Sequence, residues 1–112
     1  MSDRGGADWR VHSDKILRYL LSDATPTAAA KNRFFRSAGY TPEAWQDLAF
    51  ALTAHPTTAL LHKSMTTIHG ERRVYRCDLP VAPNGRRYCI LSVWEQRSDG
   101  SYWLVTAYPQ SS

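Results

Sequence analysis

The chain has 112 residues, 43% hydrophobic and 21% charged, the composition of one soluble globular domain; this argues against long disorder and against a membrane span. Fourteen Lys and Arg against ten Asp and Glu leave +4, a balance that suits an anionic partner without naming one. Cys77 and Cys89 form no paired metal-binding spacing, so no zinc centre is expected and both read as small core thiols.

Residues 1–12 are rich in Gly and Asp and read as a flexible arm. They carry no apolar leader core, so the chain is expected to be cytoplasmic unless something else carries it out of the cell. Ser13 caps a first helix, in which Ile16, Leu17, Leu20 and Leu21 form one apolar face. Asp23, Thr25 and Pro26 break it. Thr27 caps a second helix that runs through Lys31, Phe34 and Phe35 to Gly39. Thr41-Pro42-Glu43 starts a third, with Trp45, Leu48, Ala49 and Leu52 as its stripe. It is expected to stop near His55, because Pro56 disfavours helical geometry in the residue before it.

Strand character follows. Thr57–His69, Arg72–Leu79, Tyr88–Gln96 and Tyr102–Tyr108 read as strands, separated by turn signals at Gly70, Pro83-Asn84-Gly85 and Ser98-Asp99-Gly100. The expectation is a single α+β domain over residues 13–109: about three N-terminal helices packed on a four-stranded antiparallel β-meander. Alternation on the last strand sends Trp103, Val105 and Ala107 toward the helices. Tyr102, Leu104, Thr106 and Tyr108 then take the open face. On the third strand Cys89, Leu91 and Val93 form the apolar set, and Tyr88, Ile90, Ser92 and Trp94 the mixed one.

The basic excess lies in the second half. Residues 57–112 hold seven basic and four acidic groups, against seven and six in residues 1–56. Arg72, Arg73 and Arg76 read as backbone contacts for a polyanion, and Trp94 as a core filler or a stacking platform. Of the four histidines, His12 and His55 read as surface residues. His62 and His69 differ by seven and so point to opposite faces of an unbulged strand. His62 is carried as an optional acid or base.

The ending Leu104-Val105-Thr106-Ala107-Tyr108-Pro109 resembles the LVTAYP-like ending of small bacterial toxin domains of the barnase–EndoU–colicin–RelE ribonuclease superfamily. The resemblance extends to Lys31-Asn32-Arg33-Phe34-Phe35, Gly39-Tyr40, Pro83-Asn84-Gly85-Arg86 and Ser92-Val93-Trp94, over about residues 15–109. It implies a metal-independent endoribonuclease toxin that needs no cofactor. Such an enzyme cleaves RNA, tRNA among the candidates, by attack of the 2′-hydroxyl on phosphate. Lys31, Arg86, Thr106 and Tyr108 match the pattern and would form the catalytic site. The domain would act in the cytoplasm, or be delivered into a target-cell cytoplasm as part of a secreted toxin. A cognate acidic immunity protein or antitoxin would hold it in check, since a basic surface selects an acidic partner. The rival reading is a non-catalytic binding module: an immunity protein, a phage-encoded inhibitor of a defence enzyme, or an RNA-binding adaptor.

Overall fold

The computed structural model describes residues 8–21, 26–68, 70–77, 79 and 81–109. Its centre is a five-stranded sheet: β1 (Trp9–Arg10), β2 (Leu60–Thr67), β3 (Gly70–Arg76), β4 (Ile90–Gln96) and β5 (Tyr102–Pro109). The order across the sheet is β1-β5-β4-β3-β2. β2 to β5 pair antiparallel, whereas β1 runs parallel to β5, with Trp9 opposite Tyr102 and Arg10 opposite Trp103.

The expected four-stranded antiparallel meander is therefore corrected to a mixed sheet of five strands. The extra strand comes from residues that the sequence reading leaves in the arm. Two residues carry no alternation to detect. What holds them is Trp9, buried and packed against Tyr75, Trp94 and Tyr102 at ring-centroid distances of 5.4, 5.3 and 4.8 Å. Aromatic contacts of this kind add about 0.5–1.5 kcal/mol each beyond the area they bury.

The helices are shorter and less regular than expected. α1 (Ser13–Lys15) is one turn and continues as a π-helical segment, Ile16–Leu20. The Leu21 amide reaches back five residues to the Ile16 carbonyl, 2.7 Å, and Ile16, Leu20 and Leu21 are buried. α2 (Pro26–Ser37) starts on Pro26 itself, which fits a first helical turn because its missing N–H costs nothing there. The break at Asp23 and Thr25 lies outside the described residues. A 3₁₀ turn, Pro42–Ala44, leads into α3 (Trp45–Thr58); the Thr41 hydroxyl accepts from the Ala44 amide as expected of a cap. Pro56 does not end α3 at His55. The Ala59 amide bonds the His55 carbonyl at 2.8 Å, so the last turn closes around the proline. Among the described residues no helix is long and apolar enough to cross a membrane.

Two β-bulges reset the alternation. Val93 pairs with Thr106 but Trp94 with Leu104, so Val105 is an extra residue in β5. Tyr102 and Leu104 are buried before the bulge and Ala107 after it, which reverses the expected placing of Trp103 relative to the core. On β4 the buried residues are Ile90, Ser92 and Trp94, opposite to the apolar set chosen from sequence. That buried face meets His55. The histidine is fully buried on α3, not on the surface as expected, and it meets Ser92 and the Cys77 carbonyl.

The cysteines are also corrected. Cys77 and Cys89 form a disulfide. Arg76 pairs with Leu91 and the Cys77 amide bonds the Ile90 carbonyl, so the antiparallel ladder brings the two cysteines together although sequence spacing gives no hint of it. Closing a loop of this length stabilises the fold by about 3 kcal/mol. Cys77→Ser with Cys89→Ser is expected to lower the melting temperature by about 10 °C or more. A shift of only a degree or two in a thermal melt would contradict this.

Gly39 takes φ +106°, a left-handed backbone, at the C-terminal end of α2. Its missing side chain lets the Pro83 loop approach, where a Cβ would stand 2.8 Å from the Pro83 Cβ. The Asn84 amide bonds the Ala38 carbonyl there, and the Asn84 side chain donates to the Ser37 carbonyl and the Tyr88 hydroxyl.

Candidate functional site: the outer sheet face

Residues paired directly across a sheet share a face. The register therefore lays three rows over the side of the sheet away from the core. The first is Trp103–Glu95–Arg72–Met65, the second Thr106–Val93–Val74–Lys63, the third Tyr108–Leu91–Arg76–Leu60. Four residues singled out from sequence, Arg72, Arg76, Thr106 and Tyr108, thus occupy one face. With a rise of about 3.3 Å per residue the rows lie about 7 Å apart. Such a face spans an extended chain better than a single small anion.

A groove of about 520 Å³ opens beside the first row. It is lined by His12, Asp14 and Lys15 from the start of α1, and by Glu95, Arg97, Trp103, Leu104 and Val105 from the sheet. Trp103 is its aromatic wall. The Arg97 and Arg10 guanidinium groups stand 4.2 and 5.8 Å from the Trp103 ring centre, and the His12 ring 6.0 Å. Glu95 binds Arg72 through a 2.8 Å ion pair. Val105, the bulged residue, joins this groove to Thr106. His12, Asp14, Lys15 and Trp103 escape sequence reading because the groove depends on the arm pairing with β5 and on the bulge. Neither has a local signal. Among the described residues no three His, Cys, Asp or Glu side chains gather to hold a metal ion.

The other residues chosen from sequence stand elsewhere. Trp94 is fully buried, so it offers no stacking surface for a base; its indole N–H donates to Ser92 at 2.8 Å. Arg73 lies on the opposite face, with its guanidinium 4.9 Å from the Tyr102 ring centre. Its Nε is 3.0 Å from Glu71, an ion-pair contact without hydrogen-bond alignment. Arg86 is exposed on the loop that docks on the end of α2. Its amide donates to Asn84 at 2.9 Å. His62 sits at the β2 bulge, next to Lys63. That is three strands, about 14 Å, from Thr106, too far to share a phosphate with it. Lys31 stands in α2 and its side chain lies outside the described residues, as does His69.

Glu71 ties the far end of the sheet together. Its carboxylate accepts from the Ser64 hydroxyl at 2.5 Å and the Tyr102 hydroxyl at 2.6 Å. The Ser64 bond first, then the Tyr102 bond and the Arg73 charge, hold its pKa below the ordinary carboxylate range. Tyr102 is pushed up to about 12, by burial first and by its bond to Glu71 second. A carboxylate with a depressed folded pKa stabilises the fold above its unfolded pKa. That stability is lost as pH falls through the folded value. The melting-temperature gap between the native chain and Glu71→Gln is therefore expected to be largest near neutrality and to close in strong acid. Melts at a series of pH values check this, and a gap independent of pH would refute it.

Residues 7–111 match the family described as Domain of unknown function (DUF6883). The chain belongs to that family. No curated protein matches it. A solved chain from the contact-dependent growth inhibition toxin–immunity protein complex of Klebsiella pneumoniae 342 is similar in structure, with a TM-score of 0.73. It is 17% identical, and the match covers 91% of the DUF6883 chain and 93% of the other. The two share a fold.

Proposed function

We propose that this DUF6883 domain is a toxin that cleaves RNA by attack of a 2′-hydroxyl on the adjacent phosphate. The observation that carries the reading is the outer face, where Arg72, Arg76, Thr106 and Tyr108 share one surface with the groove of His12 and Lys15. His12 takes the 2′-hydroxyl proton, the new P–O2′ bond forms, and the P–O5′ bond breaks. The departing O5′ takes up a proton, leaving a cyclic phosphate and a 5′-hydroxyl. Lys15 supplies a cation against the charge that builds on phosphorus, the Thr106 hydroxyl donates to a phosphate oxygen, and Arg72 and Arg76 hold neighbouring phosphates of the chain. Trp103 offers its ring to a flanking base, and the Tyr108 hydroxyl donates to the phosphate alongside Thr106. RNA is the substrate class because spaced cations and aromatic rings along an open face fit a single-stranded polyanion.

The fold shared with a chain of a toxin–immunity complex supports a toxin context. The Cys77–Cys89 disulfide supports passage through an oxidising compartment, as in delivery from outside the target cell. Purified protein incubated with total RNA in the presence of a chelator is expected to release fragments ending in cyclic phosphate. Intact RNA at micromolar protein, with no growth arrest on expression in the cytoplasm, would refute the reading. A non-catalytic partner-binding module is the second reading. It is favoured by one fact: the solved relative comes from a complex that contains an immunity protein as well as a toxin.

A further inference from the structure

β2 ends the sheet on one side, and among the described residues no strand pairs with its outer edge. Every residue from Leu60 to Thr66 is exposed. Natural edge strands are kept short, charged, or interrupted by proline or bulges, because their unpaired backbone groups template another strand. β2 has a bulge and a Lys near its start. From Lys63 to Thr67, however, it pairs with β3 without interruption and so presents a straight backbone edge.

Its side chains are wrong for a merely solvated edge. Leu60 is 73% exposed, Leu61 54%, Met65 39%, and Ile68, just past the strand, 96%. Leu60 and Met65 stand on the outer face, Leu61 on the inner face and Ile68 just past the strand, so exposed apolar groups flank the open edge on both sides, as at a protein interface. The surrounding charge is one-sided. Residues 60–76 hold Lys63, Arg72, Arg73 and Arg76 against Glu71 alone. Glu71 is already bonded to Ser64, Tyr102 and Arg73. Most of the chain's net +4 thus sits on this hairpin.

We infer that the β2 edge docks an acidic protein partner, which adds an extended segment of alternating acidic and apolar residues as a sixth strand. Backbone hydrogen bonds would supply part of the affinity, as in other cases of strand addition. The segment's carboxylates would take the outer face, beside Lys63, Arg72 and Arg76, and its apolar residues the inner face, beside Leu61, with Ile68 at the end of the strand. RNA is a poorer occupant, since a phosphate backbone has nothing to bury on Leu and Ile. The inference does not depend on catalysis: the edge lies three strands away from Thr106 and Tyr108, and Arg72 and Arg76 are the residues the two surfaces share.

The test uses the full chain, labelled for NMR, and a ten-residue peptide of alternating Glu and Val. Its control has Lys at every Glu position. The Glu peptide is expected to shift the β2 amides and slow their exchange with solvent. Binding is expected to weaken at least tenfold for the Lys peptide and for Ile68→Asp or Leu61→Asp, and to be unchanged for Phe50→Ser, an exposed apolar residue elsewhere on α3. All three positions are exposed, so the variants keep the fold, and RNA cleavage by Ile68→Asp stays at the native level. Equal binding of the two peptides overturns the inference. So does a self-dimer through β2 that excludes the peptide, or an RNA oligonucleotide that protects the same amides. Loss of RNA cleavage in groove variants with peptide binding intact would separate the two sites.

Discussion

Thr106→Ala combined with Tyr108→Phe is expected to reduce RNA cleavage about 10³-fold while leaving the fold in place. Removing one donor that stabilises developing charge costs about 10²–10³ in rate. Two residues serving one site do not add fully, so the double variant falls little below the worse single one. The structural cost is small. Thr106 is half-buried on a strand, where a side-chain change of this size costs up to about 1 kcal/mol. Tyr108→Phe removes one oxygen and keeps the ring. Thr106→Ser, which retains the hydroxyl, should recover most of the rate. Initial rates on a defined RNA, with melting curves for each variant, check the set. A loss below about tenfold with native melting would remove both residues from the chemistry and leave a surface that binds without cutting.

The same pair shows how far the sequence can be read. Thr106 and Tyr108 stand on the outer face together, as alternation and the family ending imply. The neighbours they were assigned do not, because one bulged residue at Val105 moves Tyr102 and Leu104 into the core and Trp103 out of it. A bulge changes hydrogen-bond register without changing residue type, so period-two reading passes over it. Element types survived this limit better than element faces. The helices, the four long strands and the Asn84-Gly85 turn fall near their expected positions, since propensity and turn chemistry act locally. Trp9, the disulfide and the groove depend on pairings between distant residues and stayed invisible. Lys31 and Arg86 stand out by motif, and His62 by residue type alone. Residue type says what a side chain can do, and topology decides what it can do it to.

His55→Ala is expected to be the most damaging single substitution to stability, at about 3–5 kcal/mol, for reasons unrelated to catalysis. The ring is fully buried, with Nε2 2.5 Å from the Cys77 carbonyl and Nδ1 2.7 Å from the Ser92 hydroxyl oxygen. A carbonyl only accepts, so Nε2 carries the proton and Nδ1 accepts from Ser92. Ser92, itself buried, then accepts from the Trp94 indole N–H. The chain of donors runs in one direction, Trp94 to Ser92 to His55 to Cys77, and joins the sheet interior to α3 and to the disulfide. Removing the imidazole leaves a buried hydroxyl proton without its acceptor and a carbonyl without its donor, each costing about 1–3 kcal/mol. The cavity adds to this. At about 4–8 °C per kcal/mol for a chain of this size, the melting temperature should fall by more than about 12 °C. Ser92→Ala should cost less, because it removes a smaller group and orphans the Trp94 N–H and one ring nitrogen. A double-mutant cycle between the two positions should show coupling of about 1–3 kcal/mol. Additive effects would mean that the histidine packs as a volume and that the hydrogen bonds contribute nothing of their own. Below its melting point the variant should cut RNA at a near-native rate, which sets this histidine apart from His12.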